Sequence, residues 1–175
     1  MAATFEFQED NGAATGSPAK GTTRTTAVTQ NNWKNIDDVA SAYTSYPITA
    51  SGNSFTKHQF GRFTGTFNQI SSVIWAHTAG TLPAGVTLKG AVTSTYATPS
   101  TAANAALSND MSAPISIGSG QAVLLSTTGP EAASPTATLS AAGYTQYLAT
   151  QLQTTGSAPA GDIGSQTLTL RYNEN

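Results

Sequence analysis

The stretch "AGVTLKGAVTSTY" alternates without a break. Val86, Leu88, Gly90 and Val92 fall on one side, and Thr87, Lys89, Ala91 and Thr93 on the other. A period of two places successive side chains on opposite faces of a strand, so this run reads as an antiparallel strand with one buried face. The turn signal "LPAG" precedes it. Similar short runs recur along the chain. "RFTGTFNQI" and "SSVIWAHT" are rich in β-branched and aromatic residues. "ISIGSGQAVLLS" reads as a strand or bulged pair bent at Gly118 and Gly120, and "PTATLS" as a further short strand. "YTQYLATQLQTT" fits either period, and its Thr content favours a strand. "QTLTLRYNEN" alternates Leu168, Leu170 and Tyr172, and these last two segments are expected to form a closing hairpin. "ATPSTAANAALSNDMSAP", which precedes "ISIGSGQAVLLS", reads as loop with at most one Ala-rich helical turn.

Eight or so short strands with Gly/Pro turns and almost no helix predict an all-β fold. The expected architecture is a single antiparallel β-sandwich, jelly-roll or Ig-like. Residues 31–175 form its body. Residues 1–30 are expected as a flexible or extended N-terminal arm. There "TFEFQ" and "TTRTTAVT" alternate like short strands, and "DNGAATGSPAKG" between them reads as linker. Such a segment is too poor in apolar residues to order alone, so it needs the body or a neighbouring subunit to lie against.

With 175 residues the chain can bury a real core, and with no Cys it must do so without disulfides. Charged residues make up 9%, against roughly 25% in ordinary soluble domains. A neutral, hydroxyl-rich surface of this kind suits packed assemblies and particles. The seven cations, Lys20, Arg24, Lys34, Lys57, Arg62, Lys89 and Arg171, are scattered, which speaks against a nucleic-acid partner. No apolar run approaches the length of a membrane span, and the start carries Glu6, Glu9 and Asp10 in place of a leader's basic and apolar regions.

Catalytic patterns are absent. His58 and His77 are the only histidines, and no third ligand is spaced to complete a metal site with them. No Gly-X-Ser-X-Gly occurs, nor a phosphate-binding Gly loop. Asp37-Asp38 and Glu9-Asp10 are the adjacent acids, and neither pair has the look of two carboxylates across a cleft. The expectation is a non-enzyme with no cofactor and no metal. The aromatic cluster Phe60, Phe63, Phe67, Ile70, Val73 and Trp75 is expected as core. Trp33, beside Lys34, stands where the arm joins the body and is placed to anchor the arm or a partner, or to stack on a sugar.

The segment from Asn53 to Leu107 resembles a pattern in small bacteriophage virion proteins. The matching residues are the Ser54–Lys57 lead-in "SFTK", the centre Phe63–Ser71 "FTGTFNQIS", and "TYATP" at Thr95–Pro99. "YLATQLQTTGSAPAGDIGSQTLTLRYNEN" is similar to the final hairpin of such proteins. The resemblance spans about residues 33–175 and implies a phage structural β-sandwich, a capsid decoration or cement protein on the head. Its alternatives are a tail, neck or fibre component and a carbohydrate-binding adhesin domain. It further implies the major capsid protein and other copies of the chain, trimers included, as partners, and a place in the virion after assembly in the host cytoplasm. Trp33, Lys34, Phe5, Phe7 and Arg24 are the candidate partner contacts.

Overall fold

The computed structural model describes residues 2–175. Twelve strands make up the fold. They are β1 (Ala3–Thr15), β2 (Lys20–Thr25), β3 (Lys57–Gly65), β4 (Ile70–Ala79), β5 (Val86–Thr93), β6 (Asn109–Asp110), β7 (Gln121–Ala122), β8 (Leu125–Ser126), β9 (Thr138–Leu139), β10 (Gly143–Thr145), β11 (Tyr147–Thr154) and β12 (Thr167–Glu174). Among the described residues helix is confined to single 3-10 turns at Tyr43–Ser45 and Ile117–Ser119. The all-β expectation holds. Strands pair antiparallel in two sheets, a larger one ordered β2-β1-β3-β11-β5-β6 and a smaller one ordered β12-β4-β7. In addition, β10 joins β3 to β8 in the larger sheet, and β9 pairs with β4 in the smaller.

Side-chain alternation brings the sheets together. From the larger sheet, Phe63, Val86, Leu88, Leu148 and Leu152 face inward, and Ile70, Val73, Trp75 and Leu139 of the smaller sheet meet them in one core. The face expected for β5 is the face that is buried. Gly90 completes it, because a Cβ there would lie 2.2 Å from the Met111 sulfur and 3.3 Å from the Trp75 ring. A larger residue would push the sheets apart. Gly90→Val is expected to cost about 2 kcal/mol, seen as a lower urea midpoint with an unchanged slope.

The larger sheet is buried on its other face as well. Phe60 packs there with Tyr96 and Tyr147, and Leu107 covers Ala91 and Ala149. The long loop after β5 is therefore a lid on the sheet. Phe60 points away from the sandwich interior, unlike Phe63 and Trp75, because it is three residues from Phe63 on a period-two strand.

Three expectations need correction. First, β11 and β12 do not form a hairpin: β11 lies between β3 and β5, whereas β12 pairs with β4 in the other sheet. Their apolar faces look at each other across the core instead of lying side by side. Second, "DNGAATGSPAKG" is strand and turn. The hairpin β1–β2 contains a bulge between Asn11 and Ala14, where Gly12 adopts φ +85°, a conformation suited to glycine. The arm is thereby laid along β3, from Ala3↔Gly65 to Asp10↔His58. Third, "ISIGSGQAVLLS" divides, with β7 in the smaller sheet and β8 in the larger.

Candidate functional site

Two features stand out, a buried polar centre astride β1 and a cleft beside it between the sheets. The polar centre arises because Glu9 and Asp10 are adjacent on a strand and must point to opposite faces. Each is 1% exposed. A buried carboxylate needs a cation and further donors, and both have them. On the inner face, Glu9 Oε1 accepts from Lys57 Nζ at 2.9 Å and from Asn11 Nδ2 at 2.9 Å, while Gln59 Nε2 donates to Oε2 at 3.0 Å. On the outer face, Arg24 donates Nε and a terminal nitrogen to the two Asp10 oxygens at 2.7 and 2.8 Å, and the Tyr147 hydroxyl adds a 2.6 Å bond. Burial raises the Tyr147 phenol, and the Asp10 bond raises it further, so it stays a donor.

The loop after β2 closes over the inner carboxylate. Asp37 accepts Asn11 Nδ2 at 2.8 Å and the Gly12 backbone N–H at 2.7 Å. Lys57 Nζ also donates to the Asp38 carbonyl at 2.8 Å. Desolvation works to raise the Asp38 carboxyl, but hydrogen bonds from Lys34 and Ser41 outweigh it and hold it at about 2. His58 lies on the outer face, its ring 4.6 Å from Tyr96 and 5.7 Å from Tyr147. Burial lowers its pKa to about 4 against the opposing pull of Asp37 and Asp10. Tyr147→Phe removes the 2.6 Å bond without changing the ring, and is expected to lower stability by about 2 kcal/mol in urea denaturation.

The cleft opens next to this centre and has a volume of about 1050 Å³. Phe7, Gln59 and Leu148 of the larger sheet line one wall, and Leu168 of β12 lies on the other. Trp33 and the loop Ala158–Gln166 close over it. Trp33 Nε1 and Asn31 Nδ2 both donate to Thr150 Oγ1, at 3.1 and 3.3 Å, and the Asn31 Oδ1 atom is buried without a partner. The Tyr43 hydroxyl donates to Asp162 Oδ2 at 3.1 Å and ties the two covering loops together.

All five expected partner contacts are engaged within the chain, Trp33 through its bond to Thr150. Lys34 is 0% exposed, donating to Asp38 and to the Ser41 carbonyl at 2.6 Å each, so it is closed to a partner. Phe5 and Phe7 stack edge to face at 4.9 Å, and Phe5 packs on Phe63 and Tyr172. Arg24 is held by Asp10 and lies 4.6 Å above the Phe60 ring. Trp33 and Phe7 both border the open cleft. The two histidines stand in separate sheets, and among the described residues no three His, Cys, Asp or Glu converge as a metal-binding set. Glu9, Lys57, Asn11 and Tyr147 did not stand out in the sequence; the one available signal was an acidic pair set in an alternating run.

Comparison of the chain with protein-family models, with curated proteins and with solved structures finds no match.

Proposed function

We propose that this chain is a non-enzymatic structural protein of a bacteriophage virion, a decoration or cement protein that sits on the outer surface of the head and stabilises it. Its partners are the major capsid protein and further copies of itself. One observation carries the reading beyond the sequence resemblance: the few charges the chain has are spent on itself. Arg24, Lys34, Lys57, Arg62 and Lys89 all pair with carboxylates, which leaves Lys20 and Arg171 outside ion pairs among the described residues. The remaining exterior is rich in Thr, Ser and Ala. Such a surface associates through shape and hydrogen bonding and tolerates dense packing with its own kind.

The test is the copy number of the protein in purified particles, measured by quantitative mass spectrometry against the major capsid protein. A ratio near that of the capsid protein is expected, and absence from the particle sinks the reading. Because few free cations remain, re-binding to stripped heads is expected to change by less than about threefold between low salt and about 0.5 M. A steep salt dependence would instead point to a charged docking patch.

A second reading, a tail, neck or fibre component or a carbohydrate-binding adhesin, is favoured by the cleft alone. Trp33 offers an aromatic surface there, and Asn31 an unpartnered acceptor. In a Trp75→Phe variant Trp33 is the sole tryptophan. Under the decoration reading its iodide quenching is unchanged by oligosaccharides; protection by a glycan would move the protein to this second class.

A further inference from the structure

We propose that Lys57 and Asn11 close a covalent amide cross-link between β3 and β1, with Glu9 carrying the proton. The three side chains already share one atom. Glu9 Oε1 accepts Lys57 Nζ at 2.9 Å and Asn11 Nδ2 at 2.9 Å, so amine and carboxamide meet on a single carboxylate oxygen. The register supports the contact. Asp10 pairs with His58 as the last rung of β1 on β3, and one step further sets Asn11 opposite Lys57. All three are buried, with Asn11 the most exposed at 5%.

The reaction consumes nothing from outside. A proton passes along the 2.9 Å hydrogen bond from Lys57 Nζ to Glu9 Oε1, leaving a neutral amine and a neutral acid. The amine lone pair attacks Asn11 Cγ and forms the new C–N bond. The Cγ–Nδ2 bond then breaks, and Nδ2 departs as ammonia after taking the second proton from the nitrogen that has attacked. Glu9 returns its proton to the departing ammonia, which leaves as ammonium, and the carboxylate is restored. Lysine ammonium plus asparagine becomes an amide plus ammonium, balanced in atoms and charge.

The surroundings favour this outcome. Glu9 is held from behind by Gln59, and Lys57 is aimed by the Asp38 carbonyl, so the proton carrier and the attacking amine are fixed in place. Asp37 Oδ1, 2.8 Å from Nδ2, is a second acceptor for the departing ammonium. The rival nucleophile at Asn11 is the backbone nitrogen of Gly12, which would close a succinimide ring. That N–H is tied to Asp37 Oδ2 at 2.7 Å, which holds it out of the reaction. A plain ion pair would satisfy Lys57 and Glu9 equally well, and the two possibilities differ in mass.

Intact-mass measurement on the purified full chain decides between them. The expected mass is lower than the sequence mass by one ammonia. Trypsin digestion in denaturant is then expected to give a branched peptide, in which the fragment ending at Lys20 is joined to residues 35–62 with Lys57 uncut. Lys57→Arg keeps a cation for Glu9 but cannot form the amide, and Glu9→Gln removes the proton carrier. Both are expected at full mass, melting about 10 °C below the parent, as for loss of another covalent loop closure. The full sequence mass in the parent protein overturns the proposal. So does an ammonia loss confined to the fragment ending at Lys20, which would mean ring closure at Asn11-Gly12. The parent's mass and peptide map are decisive even if neither variant folds.

Discussion

Truncating Trp75 to alanine is expected to lower the free energy of unfolding by about 4 kcal/mol, the range for emptying a large buried aromatic site. The indole is 2% exposed, sits on the central strand of the smaller sheet opposite Leu170 and Gln121, and reaches across to Gly90 of the facing sheet. Its neighbours are fixed in two hydrogen-bonded ladders, so they cannot collapse far into the space it leaves. Urea denaturation followed by circular dichroism measures the loss. A change below about 1 kcal/mol would mean that the indole does not fill the interior as described. The same experiment bears on why the aromatics gather between Phe60 and Gly80. Phe63, Phe67, Ile70, Val73 and Trp75 are the packing between two sheets, and Phe60 belongs to a second cluster on the back of one of them.

The second large effect is acid sensitivity. Burial against Tyr96 and Tyr147 holds the His58 pKa at about 4, against an ordinary value of 6.5. As pH falls, the unfolded chain takes up this proton first, so its free energy drops while the native state is unchanged. His58 thus contributes nothing to pH dependence above about 6.5, and stability is lost between 6.5 and about 4, by about 3 kcal/mol in all. Asp38, held at about 2, adds a separate loss below its ordinary value of 3.8 as its bonds to Lys34 and Ser41 are broken by protonation. The acid limb therefore has two stages. Chemical denaturation from pH 7 to 4 is expected to show the first stage in the parent protein and a much flatter curve in His58→Gln. Superimposable pH profiles would show that the ring is not held neutral by its site.

How much of this was legible depends on what alternation can encode. The run from Val86 to Thr93 names its own buried face, because a Lys and three polar or small residues mark the other side. It does not name a neighbour. Leu148 and Leu152 on one strand and Leu168 and Leu170 on another carry similar patterns, and two such strands can pair edge to edge or face each other across a core. The chain does the second, and only the sheet register distinguishes them. The polar centre was hidden for a different reason. Glu9, Asp10 and Lys57 look like solvated charges wherever they stand alone, and burial becomes tolerable only once Arg24 is set across the β1–β2 hairpin and Lys57 is brought from a strand distant in the chain. A run such as "DNGAATGSPAKG" has the composition of linker, yet backbone pairing, which ignores side-chain composition, makes it a hairpin. The cleft involves loops whose course no periodicity describes.

The separation of β4 from β12 also dictates when the protein can become itself during synthesis. β4 carries Trp75, and the longest strand beside it is the last in the chain. While the ribosome is still making the residues between them, β4 has only the two-residue rungs offered by β7 and β9, and one long edge with its apolar side chains is open to any strand nearby. The smaller sheet therefore cannot be completed until β12 has been made, and before that the nascent chain passes through a period in which a chaperone or a crowded neighbour can capture it. The greatest aggregation hazard thus comes before the chain is folded, on the strand that later buries Trp75 between the sheets.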